Sequence, residues 1–149
     1  MQGQMSETGA AASRPRAAIG ASVAGAGVGS AGGWISAETA RTLPALFVRR
    51  VAESPDGVAY RQFEEGAWRD YRWGEIVRLV GRWRRALQRE GPSPGDRVAL
   101  SLPNGVEWVA FDQAALGLGL VVVPLYTTDS PGNAAHILGD SGARLLLLA

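Results

Sequence analysis

Tyr126-Thr127-Thr128-Asp129-Ser130-Pro131 ends the apolar run Leu116–Leu125 in a cluster of hydroxyls and a carboxylate. Such a cluster can hydrogen-bond a ligand or begin a helix. Ser130 is a good N-cap and Pro131 a good first helical residue, so helix capping accounts for half of the stretch. Tyr126, Thr127 and Thr128 are not needed for that. At the carboxyl end of a parallel strand, where ligands of open α/β sheets collect, they are the candidate lining of a substrate pocket. From the residues alone, polar turn and pocket wall stay equally open.

Other chemistry is scarce. All 15 basic residues are arginine, so no ammonium group is present to act as catalytic base, Schiff-base former or phosphate-loop cation. Without cysteine there is no disulfide, thiolate nucleophile or cysteine-held metal. His136 is the only imidazole, and a zinc site or a Ser-His-Asp triad would rest on it alone. Between Ala135 and Ile137 it reads as a partly buried structural histidine. Asp96, Glu107 and Asp112 are scattered acids at strand and helix starts, and the helix dipole accounts for Glu107. No catalytic, cofactor-binding or metal-ligating residue is therefore assigned.

A net charge of +1 provides no overall field to attract nucleic acid or an anionic membrane. Arg78, Arg82, Arg85 and Arg89 do form a helical stripe that could meet phosphates of RNA, coenzyme A or lipid. With no aromatic interleaved to stack a base, it reads first as a solvated face.

The elements that must position these residues follow from periodicity. Residues 1–33 are mostly Ala, Gly and Ser, a composition that buries too little apolar surface to offset chain ordering, and they read as a disordered leader. Arg14 and Arg16 precede a stretch whose glycines interrupt any secretory apolar core; a transit peptide or an over-extended gene start suits it better. Gly27–Gly32 matches G-x-G-x-x-G but lacks the flanking strand and helix, so chance explains it. No window reaches the roughly 18 apolar residues of a membrane span, and the chain reads as soluble.

Order is expected from about Ser36. Leu43, Leu46, Phe47 and Val51 mark a helix ending at Ser54-Pro55-Asp56-Gly57, and residues 58–64 and 67–73 alternate as a hairpin about Glu65-Gly66. A helix over about 73–90 places Trp73, Ile76, Val77, Val80, Trp83 and Leu87 on its buried arc; Arg84, within that arc, should snorkel outward or meet an acid. Strand 97–102, helix 106–116, strand 120–125, helix 131–138 and strand 143–148 then complete an α/β fold, a parallel βαβαβ sheet covered on both faces. The last strand, with no polar face, calls for sheet neighbours and a layer on each side, so the chain reads as truncated; an edge strand of a small sheet is the alternative.

YRWGEI at Tyr71–Ile76, Leu102-Pro103-Asn104 with Glu107-Trp108, and Val123–Thr128 closely resemble the N-terminal part of adenylate-forming enzymes, particularly long-chain fatty-acid acyl-CoA synthetases. The likeness covers about residues 42–149, making 36–149 a partial domain of that kind. Gly117-Leu118-Gly119 and Gly132-Asn133 depart from the usual family residues. The resemblance implies a cytoplasmic ligase that joins a fatty acid to ATP as an acyl-adenylate, releases pyrophosphate, then passes the acyl group to coenzyme A, with Mg2+ accompanying the nucleotide. The family's phosphate loop and C-terminal lysine lie beyond the matched region, so ATP, Mg2+ and coenzyme A are not expected to bind this chain alone, and the chain alone is expected to be inactive. Tyr71, Trp73 and Glu75 take scaffold roles, and Tyr126, Thr127 and Thr128 approach the substrate pocket. A fatty acid is the implied partner, nucleic acid is not, and peripheral membrane association stays open. Two alternatives remain: a non-catalytic module that binds a partner through its apolar last strand, and a basic-helix binder of RNA or membrane surfaces.

Overall fold

The computed structural model describes residues 33–148; the expected leader, with Arg14, Arg16 and the Gly27–Gly32 match, lies outside the described residues. Helix α1 (Leu43–Glu53) begins where Thr42 Oγ1 accepts the Ala45 N–H at 3.2 Å, with Pro44 in the first turn. Strands β1 (Val58–Glu64) and β2 (Ala67–Arg72) pair antiparallel. Glu65 and Gly66 at their turn have φ of 49° and 84°, the positive pair that a tight right-twisted hairpin requires. A register shift between Val58 and Tyr60 interrupts the alternation read from the sequence.

Helix α2 (Trp73–Glu90) starts with Glu75 Oε2 accepting the Arg72 N–H at 2.8 Å and ends at Gly91, whose left-handed φ of 72° lets its N–H reach the Leu87 carbonyl. It buries Ile76, Val80 and Leu87. Val77 departs from the expected arc. It is exposed, while Leu79 packs against the core. Arg84 extends into solvent with no acid partner among the described residues.

Strand β3 (Arg97–Ser101), helix α3 (Val106–Gly117), β4 (Val121–Pro124), helix α4 (Pro131–Ser141) and β5 (Leu145–Leu148) follow, and the parallel sheet has the order β4-β3-β5. The first crossover steps from β3 to β4, whereas the second returns past β3 to β5. Right-handed crossovers in opposite directions put α3 and α4 on opposite faces. On the α3 face, Val122, Val98 and Leu145 form one row across the sheet; on the other, Val123, Ala99 and Leu146 do. Helix α3 lies between the sheet and α2 and is apolar nearly all round, with Ala110, Ala114 and Ala115 permitting close approach.

The α4 face is thinner than the sequence predicts. Helix α4 fully buries no residue: Ala134, Ile137 and Leu138 are half-buried, and His136 is exposed rather than partly buried. Strand β5 has one neighbour among the described residues, β3, and its alternate residues Leu146 and Leu148 are exposed.

One side chain of the hairpin reaches the start of α3. Gln62 Oε1 accepts the Val106 N–H at 2.8 Å and so caps the start of α3. Gly105 leaves it room, since a Cβ there would stand 2.7 Å from that oxygen. Gln62→Ala and Gly105→Ala should therefore each cost about 1 kcal/mol, the worth of a helix cap. Because both act through the same hydrogen bond, the double variant should lose far less than the sum, measured by urea unfolding; additive losses would contradict the shared contact.

Candidate functional site

The chain leaves β3 toward α3 and leaves β4 toward α4, on opposite faces, so the carboxyl ends of these two neighbouring strands diverge and a crevice opens between them. A cleft of 320 Å³ occupies that position. Leu102, Pro103 and Asn104 line it from the β3 end, Trp108 from α3, and Pro124, Leu125, Tyr126 and Thr127 from the β4 end. Most of this wall is apolar, with Asn104 and Thr127 as polar groups able to orient a ligand.

Of the hydroxyl residues singled out in the sequence, Tyr126 and Thr127 line the cleft and Thr128 does not; Thr128 is exposed at the tip of the turn. Tyr126 is 80% exposed and stands at the mouth. The order in the turn comes from Asp129, a residue to which the sequence reading assigned no role. Its Oδ2 accepts the Tyr126 N–H at 2.9 Å, its Oδ1 accepts from Asn133 Nδ2 at 2.8 Å, and its own N–H donates to the Tyr126 carbonyl at 3.0 Å. Ser130 Oγ accepts the Asn133 N–H at 3.2 Å and caps α4. The stretch is thus both things at once: Asp129 and Ser130 build the turn, and the turn presents Tyr126 and Thr127 to the cleft.

Asn104 and Trp108 were part of the motifs but were not assigned to a pocket. Their signal was positional, since Asn104 follows one parallel strand as Tyr126 follows the next.

The scattered acids have structural partners or none. Glu107 Oε2 accepts the Trp83 indole N–H at 2.8 Å. Asp96 accepts the Ser93 N–H at 2.8 Å and the Arg144 guanidinium at 2.7 Å, and these hold its carboxyl below the usual range. Burial pushes the Asp112 carboxyl up.

The arginine stripe lies elsewhere. Arg78, Arg82 and Arg85 edge a groove of 530 Å³ beside β2, with Arg69, Tyr71, Glu75 and the exposed Val77. The Arg69 guanidinium sits 4.3 Å from the centre of the Tyr71 ring and covers it, so that ring offers no open face to a base.

The described residues offer no preformed seat for a magnesium-bearing triphosphate. Among the described residues no cluster of His, Cys, Asp and Glu could hold a metal ion. Each helix start is met by an acceptor from within the chain: Thr42 for α1, Glu75 for α2, Gln62 for α3 and Ser130 for α4. No helix of the described residues is long and apolar enough to cross a membrane.

Asp129→Ala removes both side-chain hydrogen bonds of the turn and should cost about 1–2 kcal/mol. It should also speed hydrogen exchange at the Tyr126 amide while leaving the β3 amides unchanged, measured by NMR; an unaltered Tyr126 rate would show that Asp129 does not hold the turn.

A family model described as AMP-binding enzyme matches residues 47–149. The chain is 31% identical over 102 residues to a long-chain-fatty-acid CoA ligase, FadD15, of Mycobacterium bovis, covering 68% of this chain and 17% of the ligase. It is 34% identical over 108 residues to the phosphinothricin tripeptide synthetase PhsB of Streptomyces viridochromogenes, covering 72% of this chain and 9% of the synthetase. Among solved structures, the inhibitor-bound N-terminal domain of FACL13 from Mycobacterium tuberculosis superposes with a TM-score of 0.64 at 30% identity, over 69% of this chain and 25% of that one. The chain therefore spans less than a fifth of the two curated relatives named. In sequence motifs, in the doubly wound sheet and in the cleft at its switch point, this chain belongs to the AMP-binding, adenylate-forming enzyme family.

Proposed function

We propose that the chain is the N-terminal part of an ATP-dependent acyl-CoA ligase for a fatty acid, working in the cytoplasm, and that the cleft between β3 and β4 lines the path of the acyl chain. In the proposed reaction a carboxylate oxygen of the fatty acid attacks the α-phosphorus of ATP and pyrophosphate leaves. The sulfur of coenzyme A then attacks the acyl carbon of the adenylate, and AMP leaves. No step of that chemistry is assigned to a residue of this chain.

The observation that carries the reading is the make-up of the cleft wall. Leu102, Pro103, Trp108, Pro124 and Leu125 offer apolar surface, on which each methylene of an acyl chain gains about 0.8 kcal/mol when fully buried. Asn104 and Thr127 supply polar contacts at the same wall, and Asp129 fixes the turn that carries Thr127. The likeness to a long-chain-fatty-acid CoA ligase supports a fatty acid as the acyl substrate.

Titrating the chain with decanoate should shift the NMR signals of Asn104, Trp108, Tyr126 and Thr127 and leave those of α1 in place. In the presence of decanoate, the chain alone should exchange no labelled pyrophosphate into ATP. Absence of shifts in the cleft, or measurable exchange, would contradict the proposal.

A further inference from the structure

Helix α2 carries Arg78, Arg82, Arg85 and Arg89 at intervals of four, three and four residues, so they stand above one another on one face. Like charges at such spacings oppose a helix, and the acids of α2 do not relieve them. Glu75 accepts the Arg72 N–H and lies 3.8 Å from Arg69, while Glu90 ends the helix and does not line the groove beside β2. Elsewhere on the surface Arg49, Arg61, Arg69 and Arg144 each have an acid partner, but none of these arginines of α2 has one among the described residues.

The face is also concave. Arg78, Arg82 and Arg85 rim the 530 Å³ groove, with Val77, 38% exposed, as its apolar spot. Gly81 adds no side chain to it; a Cβ there would touch Arg85 Nη1 at 3.7 Å. Seven residues of helix rise about 10 Å, so the cations are strung along a line rather than gathered at a point, and a single phosphate does not span them. A bilayer calls for large apolar side chains beside the cations, but Ile76, Val80 and Leu87 are buried in the core and of the large apolar residues of α2 only Val77 is exposed. For RNA the groove offers no open ring, since Arg69 covers Tyr71.

We infer that this groove docks an acidic helical segment of another protein, whose carboxylates, one turn apart, meet Arg78, Arg82 and Arg85 while an apolar side chain rests on Val77. A second helix has the same rise as α2, so carboxylates at matching intervals of four and three residues face the cations in register when the two helices lie side by side. Several charge pairs formed together hold a partner where a lone surface pair contributes little. The groove shares no lining residue with the cleft between β3 and β4, so the inference stands apart from the fatty-acid reading.

The probe is a capped, alanine-based helical peptide with glutamates at those intervals and a leucine between them; its control has glutamine for each glutamate. With the full chain, the glutamate peptide should bind with a Kd below about 1 mM at low salt and weaken about ten-fold when salt is raised to about 0.3 M, and the glutamine peptide should bind about ten-fold less tightly. Amide NMR signals of Val77, Gly81 and Arg82 should shift, and those of Asn104 and Thr127 should not. Arg78→Gln, Arg82→Gln and Arg85→Gln combined should lose about ten-fold in affinity and, with like-charge repulsion removed, melt no lower than the parent. Arg41→Gln with Arg84→Gln, both off the groove, should change affinity less than about two-fold. The inference is overturned by failure of the glutamate peptide to bind at about 1 mM, by equal affinity for the two peptides, by equal losses in the two combined variants, or by tighter, arginine-dependent binding of phosphatidylglycerol vesicles or single-stranded RNA. Should a variant fold poorly, the two peptides on the unaltered chain still decide the matter.

Discussion

Strand β3 imposes the constraint on which the rest of the structure depends. Val98, Ala99 and Leu100 are fully buried and have no polar side, so their backbone needs hydrogen-bonded neighbours at both edges and their side chains need cover on both faces. Strands β4 and β5 meet the first demand. On one face, α3 sits under α2 and brings Ala110, Phe111, Ala114 and Ala115 against the sheet, while Gln62 reaches from the hairpin to cap α3. The hairpin, α1 and α2 are thus tied to the strand through α3.

The same constraint creates the site. Placing β3 in the centre obliges the chain to go one way to β4 and the other way to β5, and the connections must then leave on opposite faces. Two adjacent strand ends diverge, and the cleft is the gap between them. Little of its chemistry is local. Asp129 spends its hydrogen bonds on the turn, Ser130 caps α4, and the side chains left to face a ligand are mostly apolar. A surface of that composition can hold an acyl chain and orient it, and it offers no general base and no phosphate cradle.

Much of the architecture was legible in the sequence. Most helices and strands were marked by an apolar period or by capping and turn residues, and the hairpin and the start of α4 fell where Glu65-Gly66 and Ser130-Pro131 put them. Strand order was not legible, because 4-3-5 and a simple sequential order share the same pattern of apolar runs. That is why Asn104 and Trp108 were not joined to Tyr126 and Thr127. Periodicity also failed where tertiary packing decides burial: Val77 is exposed on α2 while Leu79 packs against the core, and His136 is exposed on α4 while Ala134, Ile137 and Leu138 are half-buried. Asp129 was hidden because one acid among several hydroxyls carries no sign of which backbone amide it will hold.

Native-state hydrogen exchange tests the account most directly. If β3 is the centre, the amides of Ala99 and Leu100, with those of α3, should exchange only when the whole domain unfolds, while those of α4, which fully buries no residue, open locally and much sooner. Amides of β3 that exchanged as fast as those of α4 would contradict the claim that this strand organises the fold and its cleft.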